Sequence, residues 1–210
     1  INIKNFYYLM DVKDAIKERR SIRKYKKDDI AYEDILEILG LSIYAPNAGN
    51  IPHYYFIIVK DPEKIEKISK IADQDFIKDA NTIIVIVSDD NKLKYFHGDM
   101  GKIYAIQDTA AIAQNILLLA TDKNIGSCWI GKFNEDEIKK LLEIPKDYSV
   151  HLLITLGYPD EKPPKPNKPN LSEIVFFERW GNKIYKPSYY PLISNLKQII
   201  NYIKRVFEKP

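Results

Sequence analysis

The sequence predicts an α+β protein in which helices flank a central β-sheet. Short β-branched and aromatic runs, such as 54–59 and 82–87, are interleaved with longer segments of helical periodicity, such as 35–43. The 210 residues are 45% hydrophobic and 29% charged, which is enough to bury one sizeable core. The eight glycines form neither G-x-G-x-x-G nor a Walker loop, which argues against a Rossmann fold.

The first half of the chain contains helix caps and two strand patterns. Asp11 is a suitable N-cap, and Pro62 after Asp61 is typical of a first helical turn. The run 82–87 is apolar enough to be buried on both faces. The predicted elements are a helix from Asp11 to about Arg19-Arg20, a helix after Asp29 that ends before Pro46, a strand at 54–59, a helix from Pro62 and a strand at 82–87.

The second half is predicted to start with the longest helix, from about Tyr104 to Ala120. This helix is apolar over much of its circumference, so it must be covered on more than one side. Its small residues would let another helix approach closely, from this chain or from a second subunit. The elements that follow are a strand at 127–130, a helix capped by Asn134 with Glu137, a strand at 149–156, an extended proline-rich stretch at 159–169 and a helix at about 192–206.

The composition argues against several classes of protein. The net charge is only +3, from 32 basic and 29 acidic residues, which is too balanced for a typical nucleic-acid-binding protein. Cys128 is the only cysteine, so nothing indicates a disulfide-bonded, secreted protein. The longest apolar run, 110–120, is interrupted by Gln114 and Asn115, so we expect no membrane span. We therefore expect a cytoplasmic protein.

The densest group of charges lies at the end of the first predicted helix. Guanidinium groups donate paired hydrogen bonds to phosphate, so this group suits a dianionic phosphate. Basic residues also favour the negative end of a helix, and on these residues alone that role is the stronger interpretation. Nucleic-acid binding is a third interpretation, which the small net charge disfavours. The residues concerned are Arg19, Arg20, Ser21, Ile22, Arg23 and Lys24.

Two further segments carry candidate binding groups. The turn 45–53 holds two amide side chains, Asn47 and Asn50, which suit either an ordinary helix-to-strand turn or contacts to a planar polar ring. Segment 126–131 is a short strand flanked by glycines, where a ligand can approach the backbone closely. Cys128 within it is expected to be a small buried side chain rather than a nucleophile. The three histidines lack metal-ligand spacing, so we predict no metal site.

Taken in order, six segments of the chain resemble the FMN-dependent nitroreductase family in its short, single-domain form. The resemblance covers roughly residues 10–181, and the order and spacing of the segments are more specific than any one of them. The segments are 19–23, 45–52, 107–115, 126–131, 156–159, and Lys168 through Glu178-Arg179-Trp180-Gly181.

The resemblance implies a nitroreductase-like central mixed β-sheet in an intertwined homodimer, with two FMN sites between the chains. Residues 1–181 would form the FMN-binding domain. Residues 182–210 have no counterpart in the family, and we expect them to be a helical extension packed on the partner subunit. Arg19, Arg20 and Ser21 would hold the phosphate and ribityl end, and Arg23 would lie near N1 and O2 of the ring. Pro46, Asn47, Ala48 and Asn50 of the partner would cover the ring, the N–H groups of Ile130 and Gly131 would face N5 and O4, and Lys168, or less favourably Lys165, would return to the phosphate.

The same resemblance implies an enzyme that passes hydride from NADH or NADPH through flavin N5 to a small electron-poor acceptor, such as a nitroaromatic or a quinone, in ping-pong fashion. The cofactor carries this chemistry, so we assign no catalytic residue. A flavin-binding carrier or sensor with little turnover is the alternative. Two positions depart from the family: Ile51-Pro52-His53 stands where Gln-Pro-Trp is frequent, and Lys168 stands where arginine is more usual.

Overall fold

A computed structural model describes residues 10–183 of the chain, and these combine helices with a four-stranded sheet. The α+β class predicted from the sequence is therefore confirmed. The strands are β1 (Tyr54–Val59), β2 (Thr82–Ser88), β3 (Gly126–Ile130) and β4 (Ser149–Gly157). The helices are α1 (Val12–Glu18), α2 (Tyr32–Ser42), α3 (Pro62–Ala72), α4 (Asp90–His97), α5 (Gly101–Asp122), α6 (Glu135–Leu142) and α7 (Leu171–Ile174).

The strands lie in the order β1-β2-β4-β3, and each neighbouring pair is antiparallel. The mixed character expected of the sheet comes from an isolated parallel bridge between Ser21 and Ser127, outside the named strands. This bridge places the segment after α1 beside β3. The sheet thus gains a short extended neighbour that carries the predicted cation cluster.

Helices cover both faces of the sheet, because successive side chains of a strand point to opposite faces. Ile84 and Ile86 of β2 pack with the apolar side chains of α2 and α5. Ile83 and Val85 of the same strand pack with those of α3 and α6. All seven residues of β2 are buried, which confirms the prediction of a strand covered on both sides.

Helix α5 crosses the molecule and contacts α1, α2, α4 and three of the strands. It begins at Gly101, three residues before the predicted start, and extends to Asp122. By length and composition alone, the stretch Asp90–Asp122 resembles a membrane span, but 44% of its apolar window is buried inside the protein. A core helix has the same properties, so this stretch does not indicate a membrane protein.

Most element boundaries agree with the sequence patterns. Asp11, Asp61 and Asn134 cap their helices as predicted. Helix α2 begins at Tyr32, slightly later than the pattern after Asp29 indicates. The sequence did not predict α4, because Leu93 is the helix's one buried residue and leaves no apolar periodicity.

The described residues fall into two compact units, one up to Lys165 and one from Pro166 onward. The described part of the second unit contains α7 and a tilted ring contact between Phe176 and Trp180, with centroids 4.6 Å apart. Both the predicted helix at 192–206 and nearly all of the predicted extension 182–210 lie outside the described residues. The division of the chain into 1–181 and 182–210 stays a prediction.

Candidate active site

The segment that follows α1 is held by backbone hydrogen bonds at the edge of the sheet. Arg19 ends α1, and its N–H donates to the carbonyl of Ala15. The Ile22 N–H then donates to the Ser127 carbonyl of β3 at 2.9 Å. Further along, the Lys26 N–H donates to the carbonyl of Tyr158 at 2.8 Å. The chain is thereby fixed between β3 and the residues that follow β4.

Tyr25 anchors this segment from below. Its hydroxyl donates to the Ile22 carbonyl at 2.5 Å and shares a 2.7 Å hydrogen bond with Thr155 Oγ1. Burial raises the pKa of Tyr25 far above its ordinary value. A Cβ at Gly157 would lie 2.6 Å from the Tyr25 ring, so the ring needs glycine there. The charged segment predicted from the sequence extends to Tyr25, but the sequence alone gave this residue no role.

The side chains of this segment divide between two directions. Arg20 and Ile22 line a cavity of about 580 Å³, whereas Arg19, Ser21 and Arg23 do not. Alternate residues of an extended chain point to opposite sides, which accounts for this division. The Arg20 Nη1 donates to the carbonyls of Lys17 and Arg19, both at 2.7 Å. Arg20 thus interacts with the negative end of α1, which is the structural role that its position suggests. Its Nε is buried and has no hydrogen-bond partner in the described part of the chain.

Arg19, Ser21 and Arg23 gather around Cys128. Burial raises the pKa of the Cys128 thiol, while the Arg23 charge, a hydrogen bond with Ser21 and the Arg19 charge lower it. The Cys128 side chain is 2% exposed, so the prediction of a small buried side chain is confirmed. The Arg23 guanidinium lies 5.7 Å from the centroid of the Phe76 ring. Ser21 is joined to β3 by its bridge to Ser127, so these three residues lie on the segment next to that strand.

The backbone after β3 is the next candidate binding element. Ile130 is the last paired residue of this strand, opposite Leu153. Gly131 follows directly, so its N–H lies outside the strand pairing. Trp129 is 39% exposed, and its Nε1 would lie 3.5 Å from a Cβ at Gly131. An open strand end with an unpaired glycine and an exposed indole suits contact with a planar ligand.

The predicted ring-covering residues form a second recess at the end of α2. Pro46, Asn47 and Asn50 line a cavity of about 570 Å³, together with neighbouring residues that include Tyr44 and Tyr54. The chain turns there through a short 3₁₀ segment, Ala48–Asn50. The Ala48 N–H donates to Asp108 Oδ2 at 2.9 Å, and Asn47 Oδ1 is buried with no partner among residues 10–183. Asp108, on α5, was not among the predicted site residues.

Within one chain these residues form two separate groups. Among residues 10–183, no hydrogen bond or ion pair joins loop 46–50 to segment 19–23 or to Ile130 and Gly131. The two cavities share no lining residue within that range. Within one chain, the predicted site residues thus lie in two separate groups, which we call the two halves of the predicted site.

The two candidate lysines lie in different units. Lys165 belongs to the first unit, where its Nζ lies 2.7 Å from Glu18 Oε1, and this contact lowers the pKa of Glu18. Lys165 therefore lies next to the cation segment with its charge already paired. Lys168 is exposed in the second unit, in a stretch without helix or strand. Its predicted role at the phosphate stays a prediction.

Large apolar side chains are exposed on several helices of the first unit. On α5, Ile103 and Ile106 are each 47% exposed, one helical turn apart. On α1, Val12 and Ile16 are more than half exposed, and Phe96 of α4 is 58% exposed. Exposed apolar surface on several neighbouring helices is typical of a protein–protein interface.

Comparison with known proteins gives one consistent result. The sequence profile described as the nitroreductase family matches residues 16–76 and 70–158. A protein of Archaeoglobus fulgidus, assigned by name to the NADH dehydrogenases/NAD(P)H nitroreductases, is 39% identical over 150 residues, which is 69% of this chain and 83% of that protein. A protein of Methanothermobacter thermautotrophicus assigned to the same class is 35% identical over 73% of this chain and 80% of its own length.

A solved structure agrees with these sequence matches. An FMN-dependent nitroreductase from Clostridium difficile superposes with a TM-score of 0.69 and 30% identity, and the match covers 79% of this chain and 98% of that one. The family profile spans more than half of the sequence, and the fold and the order of the six segments agree with it. The chain belongs to the nitroreductase family.

Proposed function

We propose that this protein is a homodimeric, FMN-dependent oxidoreductase that takes electrons from NADH or NADPH. The observation that carries the proposal is the segment with Arg19, Ser21 and Arg23, which the bridge from Ser21 to Ser127 places beside β3, within a chain of the nitroreductase family. The names of the matched proteins support it, since they include NAD(P)H nitroreductases and an FMN-dependent nitroreductase.

The residues at the edge of the sheet fit the chemical groups of FMN. A phosphate dianion needs cationic and hydroxyl donors, which Arg19, Arg20 and Ser21 supply. Two buried polar atoms in the same region, Arg20 Nε and Ser127 Oγ, have no partner among the described residues and would gain one from a phosphate or ribityl oxygen. Ser127 is thus a further candidate contact that sequence reasoning missed. We propose Lys168 as an additional phosphate ligand, with Lys165 as the substitute.

A second subunit completes the site in this proposal. The loop residues Pro46, Asn47, Ala48 and Asn50 would cover the flavin that the partner chain holds. The unpaired Asn47 Oδ1 supports this arrangement, because a buried amide oxygen without a donor is costly. The exposed isoleucines of α5 supply apolar surface for the dimer contact.

Bound FMN supplies hydride transfer between a nicotinamide nucleotide and an electron-poor acceptor, such as a nitroaromatic or a quinone. The Arg23 guanidinium would lie near N1 and O2, where a cation stabilises negative charge. The N–H groups of Ile130 and Gly131 would orient the N5 and O4 edge. Because donor and acceptor would share one ring face in turn, we expect ping-pong kinetics. A cytoplasmic location would give access to both nucleotides.

The direct test is anaerobic reduction of the purified protein. We expect a yellow dimer with one FMN per chain, and bleaching of the flavin absorbance by NADH, NADPH or both. Addition of a quinone or a nitroaromatic should then restore the absorbance. A colourless protein that does not take up added FMN would contradict the proposal. A yellow protein that neither nucleotide bleaches would favour the carrier or sensor instead.

A further inference from the structure

We infer that Asp108 is a positioning residue for the flavin pocket of the other subunit. It would act through loop 46–50 of its own chain, which it holds in place. This inference rests on the proposed function, since it assumes that the loop covers the flavin bound by the partner. Neither the motif pattern nor the comparisons assign a role to Asp108.

Asp108 is a buried carboxylate with two hydrogen-bond partners on one oxygen. The residue is 7% exposed, and its Oδ2 accepts from the Ala48 N–H at 2.9 Å and lies 3.1 Å from His53 Nε2. The His53 side chain is fully buried, so it has no access to water in place of Asp108. A carboxylate is kept inside a protein only when such donors compensate it. Removal of Asp108 would leave both donors unsatisfied.

Among the described residues, loop 46–50 makes one hydrogen bond beyond its own turn, and the chain after it is held at His53, whose carbonyl accepts from the Asp89 N–H at 2.7 Å. Gly49 and Asn50 both have positive φ, at 63° and 54°, a conformation that side chains rarely adopt. The backbone hydrogen bonds inside the turn, from Asn50 to Asn47 and from Ile51 to Ala48, are both 3.3 Å long. The bond from Ala48 to Asp108 is shorter and charge-assisted, so it is the strongest tie that the loop makes.

This tie connects the loop to the helix that carries the exposed isoleucines. Asp108 lies two residues after Ile106 on α5, and Thr109 and Ile112 next to it are fully buried. The carboxylate is therefore mounted on a rigid element that runs from the core to the exposed apolar face. A change in loop position would move Asn47 and Asn50, which line the recess facing the partner's flavin in the proposed dimer.

The first experiment compares three variants by their FMN dissociation constants. Asp108→Ala removes both contacts and should raise the dissociation constant at least about tenfold. Asp108→Asn keeps an acceptor oxygen for Ala48 and should stay within about threefold of wild type. Asp34→Ala is the matched control, since Asp34 on α2 accepts a 2.8 Å hydrogen bond from Lys123 Nζ and lines neither of the two cavities. If Asp108→Ala binds FMN like the control, the inference fails.

The second experiment uses mixed dimers of two different variants. It distinguishes an effect of Asp108 on the partner's flavin from an effect within its own chain, which a purely structural role would produce. One chain carries Asp108→Ala and the other carries Arg19→Glu, with different affinity tags for purification. If Asp108 acts on the partner's flavin, the mixed dimer contains one intact site and regains one tightly bound FMN per dimer. If it acts within its own chain, neither site is intact and no tight binding returns, which overturns the inference.

The failure of each idea is recognisable. Normal FMN retention by the Arg19→Glu homodimer would count against the proposed function and its phosphate site, whatever Asp108 does. Loss of FMN in that homodimer, with normal binding by Asp108→Ala, would leave the proposed function standing and remove only the positioning role. If Asp108→Ala does not fold by circular dichroism, Asp108→Ser replaces it, because serine is polar but too short to reach both donors, and the same outcomes apply.

Discussion

The two halves of the proposed site are held by different kinds of interaction. Segment 19–23 is placed by backbone pairing with β3, through the bridge from Ser21 to Ser127. Loop 46–50 is placed by a side chain of a distant helix, because Asp108 accepts from Ala48. The first half is held by main-chain pairing with support from the Tyr25 hydroxyl and the Glu161 carboxylate, whereas the second is tied to α5 through one carboxylate.

This difference has a consequence for mutations. At the sheet edge, replacing Arg19 or Arg23 removes a contact but leaves the backbone where it is. At the loop, a residue outside the site controls the position of those inside it. Substitutions at the edge should therefore change affinity and charge, and substitutions behind the loop should change the shape of the pocket.

The largest effect is expected from Arg19→Glu, which tests the edge half. The variant loses a charge-assisted hydrogen bond and places a carboxylate beside the phosphate, so the FMN dissociation constant should rise at least about a hundredfold. The thermal midpoint of the apoprotein should change little. Flavin content after gel filtration measures the effect, with Lys13→Glu, an exposed charge reversal on α1, as the control. Unchanged flavin content would show that the phosphate lies elsewhere.

The next largest effect is expected from Ile106→Asp. This substitution should disrupt the dimer and so separate the two halves of the proposed site, which come from different chains. A charge on the exposed face of α5 opposes burial in a subunit contact, so the dimer should dissociate. FMN binding should weaken about tenfold or more, because each chain retains only one half of the site. Analytical ultracentrifugation gives the oligomeric state, and Lys67→Glu on α3 is the control. A monomer that binds FMN normally would mean that one chain suffices.

The sequence predicted the edge half better than the loop half. Local features could be predicted from neighbouring residues alone. They include the strands at 54–59 and 82–87 and the helix caps Asp11, Asp61 and Asn134. The candidate phosphate-binding arginines could be identified because all three lie within five consecutive residues, 19–23. Arg20 lines a cavity and Arg19 does not, and this difference depends on pairing with β3, which is a tertiary contact.

The contacts behind the loop were not predictable in the same way. Asp108 and Ala48 are 60 positions apart, and no local pattern joins them. Asp108 lies in a helix that is identified from its apolar residues, which give no reason to single it out. His53 differs from the family pattern, but the sequence does not show which residue it contacts. A buried Asp in an apolar helix is itself a signal, since such a carboxylate needs a donor. That rule points to a polar contact but does not identify it.

A third region, where β2 and β4 pair at Ser88 and Ser149, provides a comparison without any predicted cofactor contact. Burial raises the pKa of Asp90, but hydrogen bonds from His151, Ser88 and Ser149 outweigh it and lower the pKa from 3.8 to about 2. A depressed carboxyl pKa stabilises the fold above the ordinary value, and this contribution is lost as the pH falls from about 4 to 2.

Asp90→Asn should therefore cost about 2 kcal/mol of unfolding free energy at pH 7 and little near pH 2. Urea titrations at several pH values measure the difference from wild type. FMN affinity should not change, because the cluster lies outside both halves of the site. A constant penalty across this pH range would show that the carboxylate acts only through packing.

The smallest effect distinguishes the two lysines that the sequence offers for the phosphate. Lys165 already has its charge paired with Glu18, so Lys165→Ala should weaken FMN binding by less than about twofold. Lys168→Ala should weaken it about threefold to tenfold, as expected for a lysine that meets a phosphate as a point charge. Lys140→Ala, an exposed lysine on α6, is the control. If the order of Lys165 and Lys168 is reversed, Glu18 must release Lys165 when FMN binds, and Glu18→Gln should then tighten FMN binding.

Salt dependence sharpens the comparison, because the loss of FMN affinity on removing a point-charge contact should shrink as ionic strength rises.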